Sequence, residues 1–213
     1  MTGKAGEIKM ENGQTFKEIT AIILAGGQSR RMSRDKASLP VNGQTLLEQL
    51  IGQLTGYFRE IIIAVSKGQP YELKNVRQVE DRYENAGPLA GLLAGLQASS
   101  SDISLVVPCD QPEIDLGIVR DMLQVLGQHD LVYLRLDSQI PHPLFALYRR
   151  SLLPVIERLI KERKLSVLHL LAKVNSLALD IPADRIPWHL NNFEDYQNYL
   201  QHLRRKNQKS SGS

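Results

Sequence analysis

The sequence predicts an α/β protein, a single three-layer α/β/α sandwich built on a mainly parallel, mixed sheet. Three observations carry that expectation. Short continuous apolar runs rich in β-branched residues alternate with longer stretches of helical period, the pattern of a parallel sheet covered on both faces. No proline-, glycine- or serine-rich linker divides the chain, so one domain is expected over residues 18–206, with polar, mobile ends at 1–17 and 207–213. The runs at 131–136 and 144–148 stand too close for a helical crossover, so they pair antiparallel or sit apart in the sheet.

The elements follow in order. Residues 19–24 form a buried first strand, and two adjacent glycines, Gly26 and Gly27, come directly after it. Thr45 opens a helix with Leu46, Leu47, Leu50, Ile51 and Leu54 on one face. Residues 60–66 (EIIIAVS) read as a second strand, and 76–79 as a short third one ending at Glu80 and Asp81. Gly87-Pro88 starts a helix, because proline at the first helical position gives up no needed donor. Ala90 and Ala94, and Gly91 and Gly95, recur at four-residue spacing on it and make a face fit for close packing. A further strand, 103–108, ends at Cys109, Asp110 and Gln111. Then come a helix at 115–126, a strand at 131–136, a kink at Pro141-His142-Pro143 and a strand at 144–148. Helices at 151–162 and 164–173, a last strand at 176–181 and a helix at 193–205 complete the chain.

Composition narrows the function classes. Of 213 residues, 42% are hydrophobic and 23% charged, as in ordinary globular proteins. The formal net charge is +3, but Arg204, Arg205, Lys206 and Lys209 supply more than that excess, so the basic balance belongs to a tail rather than a binding face. With no recognised module either, nucleic acid is not an expected partner. The single cysteine, Cys109, excludes an intramolecular disulfide and a metal-thiolate cluster within one chain. No apolar run approaches the ~18 residues of a membrane span. The first residues lack the apolar core of a secretory signal, and a cytoplasmic protein without a membrane partner is expected.

The chemistry concentrates where strands end. Residues 24–36 read LAGGQSRRMSRDK. Glycines let a backbone turn tightly and approach a ligand, and the exposed N–H groups of such a turn hold phosphate oxygens. Four cations in the same stretch suit a polyphosphate, although a Gly-Gly pair after a strand is also a common plain turn. The string is neither a Walker A loop nor a G-x-G-x-x-G fingerprint. Asp110 closes an apolar strand, either as a hard oxygen ligand for magnesium or as a turn or helix-capping aspartate. Asp81 has the same two readings, ligand contact or cap of the helix at Pro88. Lys36 contacts phosphate or is simply solvated.

The full strings are more specific than their parts. Leu24, Ala25, Gly26, Gly27, Ser29, Arg31, Met32, Asp35 and Lys36 resemble the L-A-G-G-x-S-x-R-M-G-x-D-K signature of molybdenum cofactor guanylyltransferases, with Ser33 in place of a glycine. Asp81 with Gly87-Pro88-Leu89-Ala90-Gly91 is similar to the family's E-D…G-P-L-A-G segment, and Asp110 with Pro112 to its C-D-x-P segment. His142-Pro143 and Asn191 resemble two further segments. In the second of these His189 stands for the first asparagine, and Asn192 and Phe193 for Thr-Pro. Ala64 stands where some members carry an asparagine that contacts guanosine.

The resemblance implies a Rossmann-like nucleotidyltransferase fold. It implies that Leu24, Ala25, Gly26, Gly27, Lys36, Asp81 and Asp110 bind GTP, and that Asp110 holds Mg2+. Arg31, Lys36 and Asp110 are then the catalytic residues, and His142 and Asn191 the pterin-side residues. The implied reaction joins GMP from GTP to molybdenum-molybdopterin and releases pyrophosphate. An unstable pterin product further implies transient complexes with molybdenum insertion and cofactor handover proteins. Two alternatives stay open: a sister enzyme using CTP on molybdopterin or an NTP on a sugar or polyol phosphate, and a catalytically silent nucleotide-binding module.

Overall fold

A computed structural model describes residues 15–26, 35–83, 86–136 and 140–210. The elements run β1 (Phe16–Leu24), β2 (Pro40–Val41), β3 (Gln44–Thr45), α1 (Leu46–Leu54), β4 (Phe58–Val65), β5 (Arg77–Glu80), α2 (Pro88–Ala98) and β6 (Ile103–Pro108). They continue with α3 (Leu116–Leu126), β7 (Leu131–Leu136), β8 (Ile140–Arg149), α4 (Leu153–Lys161), α5 (Val167–Leu171), β9 (Ser176–Ile181) and α6 (Phe193–Ser210). Seven strands form one sheet in the order β5-β4-β1-β6-β8-β7-β9. Only β8 runs against the others, pairing antiparallel with both β6 and β7. The sheet is therefore mixed and mainly parallel, as expected.

β1 is central and is buried on both faces. Ile22 and Leu24 face α2, which also packs on β4 and β5 and has α4 beside it. Ala21 and Ile23 alternate to the opposite face and are equally shut from water. Gly95 sets the closeness of α2: a Cβ there would lie 2.5 Å from Ile22 Cγ2. Helix starts are read directly from side chains. Thr45 and Glu48 form a reciprocal capping box on α1, and Asp115 accepts from the N–H groups of Gly117 and Ile118 at the head of α3.

The differences from the sequence reading have local causes. β1 begins at Phe16, because its N–H donates to Tyr57 O and its ring stacks on Phe58 at 5.1 Å. β8 begins at Ile140 and carries Pro141-His142-Pro143 as extended strand, not as a kink before it. Two prolines are tolerated there because β6 pairs only with residues 146–149 of β8, so the proline segment faces β7 alone, across a register shift. α6 continues five residues past 205, to Ser210.

The β2–β3 hairpin, unanticipated, turns on Asn42 and Gly43, both at positive φ, the usual geometry of a two-residue hairpin. It belongs to a second buried cluster in which Leu39, Val41 and Leu46 meet Leu190, Tyr196, Tyr199 and Leu203. That cluster folds the C-terminal helix back onto the segment that follows residue 36. Among the described residues no helix is long and apolar enough to cross a membrane.

Candidate active site

The parallel register brings the site residues together. At the end of β1, Leu24 stands opposite Ala64 of β4 and Pro108 of β6. Backbone bonds continue past the strands: Ala25 N–H to Ala64 O (2.9 Å), Cys109 N–H to Leu24 O (3.1 Å) and Asp81 N–H to Val65 O (3.0 Å). A cleft of about 1120 Å³ opens over these ends, lined among others by Gly26, Ser66, Asp81, Asp110, His142 and His189. It lies where open α/β sheets bind ligands. A Cβ on Gly26 would come within 3.0 Å of Ser66 Oγ and 3.1 Å of Ser66 N, so only glycine leaves these two strand exits this close.

Lys36 reaches the cleft on a short 3-10 turn, Lys36–Ser38. Asp35 caps it, its two carboxylate oxygens accepting from Ala37 N–H (3.1 Å) and Ser38 Oγ (3.0 Å). Lys36 Nζ then meets Asp110 Oδ2 at 3.0 Å, the lysine head 15% exposed and the carboxylate 26%. Asp110 is tied from behind by its carbonyl, which accepts from Leu190 N–H at 2.8 Å.

The structure removes the helix-cap reading of both aspartates, and Asp110 lies in the turn that follows β6. Asp110 caps no helix, because Asp115 caps α3. Asp81 does not cap α2 either, since Gly87 stands at that cap and no side chain bonds there. Both carboxylates line the cleft, Asp110 in its pair with Lys36. Burial, and then the charge of Glu80, raise the pKa of Asp81.

His142, on the proline segment of β8, and His189, before α6, meet in a tilted ring contact with centroids 4.4 Å apart. Burial and the neighbouring His189 push His142 down to about 4. Burial likewise lowers His189, with Asp110 opposing. The pair is uncharged at neutral pH, and His189 Nε2 is buried without a hydrogen-bond partner. Asn191 is not brought into the cleft. It lies exposed in the turn before α6, its N–H donating to Asp195 Oδ2 at 2.9 Å. His189, noted in the sequence only as a departure, takes the cleft-facing place. Residues 166–168 at the head of α5 close the same end, which no motif had marked.

Gly27 and Arg31 lie outside the described residues, as do Ser29, Met32 and Ser33. No group of three His, Cys, Asp or Glu side chains among the described residues is placed to hold a metal. That donor set suits magnesium arriving with phosphates, which needs one or two carboxylates from the protein, and does not suit a preformed protein cage.

Comparison with known proteins agrees with this architecture. The family described as MobA-like NTP transferase domain matches residues 21–176. A probable molybdenum cofactor guanylyltransferase of Peptoclostridium acidaminophilum is 33% identical over 163 residues, covering 74% of each chain. One of Methanosarcina mazei is 31% identical over 215 residues, covering 92% of this chain and 95% of the relative. The crystal structure of molybdopterin-guanine dinucleotide biosynthesis protein A from Archaeoglobus fulgidus superposes with a TM-score of 0.72 over 87% of this chain and 99% of its own, at 19% identity. With its strand ends, its cleft and most of its length accounted for, the chain belongs to the MobA-like NTP transferase family.

Proposed function

We propose that this chain transfers the GMP moiety of GTP to molybdenum-molybdopterin, forming the guanine dinucleotide cofactor and pyrophosphate. The observation that carries the proposal is the Lys36–Asp110 pair at the ends of β1 and β6, where one cation and one carboxylate meet over the cleft. The names of the relatives support the substrate class. The triphosphate lies over Gly26 at the exit of β1. Lys36 leaves Asp110 and neutralises the phosphates as pyrophosphate departs. Asp110 is the residue that would hold Mg2+, which when bound polarises the phosphate oxygens as a Lewis acid. Asp81, just past the end of β5, contacts the nucleoside from the same row of strand ends. His142 and His189, in ring contact, present a neutral aromatic surface to the pterin. No covalent enzyme intermediate is required, because positioning and electrostatics account for phosphoryl transfer of this kind.

A cytidylyl reading is favoured by one residue. Ala64 at the end of β4 lines the cleft without a polar atom to read guanine, leaving Ser66 to do so. Pyrophosphate release measured with GTP, CTP, ATP and UTP, each with and without molybdenum-molybdopterin, separates the two. GTP is expected to turn over fastest, and only with the pterin. Equal or faster turnover with CTP removes the guanylyl assignment and leaves the nucleotidyl chemistry standing.

A further inference from the structure

Tyr71 lies between β4 and β5, outside every motif of the sequence, yet its side chain reaches into the base of the site. Its hydroxyl donates to Ala25 O at 2.9 Å, at the point where β1 gives way to the glycine turn. Asp35 acts on the same hydroxyl. Burial first, then the charge of Asp35 and a hydrogen bond with its carboxylate, hold the phenol well above its ordinary value, so it stays protonated and able to donate. Asp35 is the cap of the turn that presents Lys36. The phenol is thus tied to the exit of β1, with the carboxylate of Asp35 near enough to act on it.

The backbone of Tyr71 is itself held from the edge of the sheet. Gln78 of β5 accepts from Tyr71 N–H at 2.8 Å through Oε1 and donates to Tyr71 O at 2.8 Å through Nε2. A single amide side chain satisfies both backbone groups of Tyr71, much as a neighbouring strand would. The chain of contacts runs from Gln78 to Tyr71 to Ala25. Ala25 lines the cleft, whereas Tyr71 and Gln78 stand behind it.

We infer that Tyr71 is a positioning residue for the nucleotide site, fixing Ala25 at the point where β1 gives way to the glycine turn that receives the triphosphate, with Gln78 acting through it. The inference rests on the proposed reading of this strand end, with Lys36 beside it, as the triphosphate site.

The test measures binding of GTP with Mg2+ by calorimetry, the KM and kcat of pyrophosphate release, and the melting temperature. It uses wild type, Lys36→Ala, Tyr71→Phe, Gln78→Ala and the Tyr71→Phe/Gln78→Ala double variant. Tyr71→Phe keeps the ring and loses one hydrogen bond, so the GTP Kd and KM should rise about three- to tenfold with kcat at saturation little changed. Gln78→Ala should move in the same direction by less. The double variant should bind GTP no worse than Tyr71→Phe alone, since both act through one contact. A lowered melting temperature with wild-type KM makes Tyr71 merely structural and overturns the inference, as does full additivity in the double variant. If Lys36→Ala weakens GTP while Tyr71→Phe does not, the site reading survives and the inference fails. If wild type binds no GTP, both fall.

Discussion

The two walls of the cleft are built on different principles. The near wall, at the ends of β1, β4 and β6, is made by strands whose register leaves little freedom, and it carries opposite charges in contact at Lys36 and Asp110. The far wall is made by the unpaired side of β8, the segment before α6 and the head of α5, and the two histidines it offers are held neutral. The contrast matches what each wall is asked to do. A polyphosphate needs charge at fixed points, which strand ends supply. A flat heterocycle needs a shaped, uncharged surface, which irregular segments supply more readily. Each prediction below alters one wall and asks whether the other is indifferent.

The largest effect is expected from Asp110→Asn. The amide preserves size but not the charge available to a metal. Loss of one strong electrostatic stabiliser typically costs roughly 3–4 kcal/mol of barrier, a hundredfold or more in rate. Stability should change little, because Asp110 caps no helix and its pair with Lys36 is partly solvated. The rate should recover partly at high Mg2+ or Mn2+. Rates measured across a magnesium titration, alongside thermal melts, check this. Wild-type turnover at low magnesium would remove the near wall from the chemistry.

How far each wall could be read beforehand follows from the same contrast. Strand ends are legible because short β-branched runs announce themselves and the residue after each run is then placed by the topology. Gly26, Asp81 and Asp110 were found in this way, although the chain separates them widely. The far wall depends on contacts without a local signature. That prolines 141 and 143 sit within β8 depends on β6 ending its pairing at Ala146. That His189 rather than Asn191 faces the cleft depends on Leu190 being drawn into the second buried cluster, its N–H donating to Asp110 O. The Asn42-Gly43 hairpin was legible from its dipeptide, and was overlooked because its strands are only two residues each.

A second prediction concerns the far wall and pH. The folded-state value of His142 is about 4, against ~6.5 for an unperturbed imidazole. Between these values the unfolded chain binds more protons than the folded one, so stability falls as pH drops from about 6.5 toward 4. His142 faces His189, and Asp110 is the charge that acts on both rings. His142→Phe retains an aromatic face and removes one titrating group. Its melting temperature should fall less than that of wild type between pH 7.5 and 5, while turnover at saturating pterin and GTP stays close to normal. Parallel slopes for the two proteins would show that the histidine wall does not titrate with folding.

The smallest effect is expected at Cys109, in the near wall at the end of β6. It precedes Asp110 and lines the cleft, so a reactive thiolate there would make the near wall a nucleophilic site. Its surroundings argue the other way. Burial, and then the charges of Asp110 and Asp35, push the thiol up to about 12, with Lys36 only partly opposing them. At working pH the sulfur is protonated and a poor nucleophile. Its fixed contribution to the fold is made by the backbone, through the N–H bond to Leu24 O, which any residue keeps. Cys109→Ala should therefore retain turnover within about twofold of wild type, since only a small packed side chain is lost. Iodoacetamide at pH 8 should leave wild-type activity unchanged over the time in which a free thiol reacts. Rapid alkylation with loss of activity, together with an inactive but folded Cys109→Ala, would assign the near wall a covalent role that its charges alone do not require.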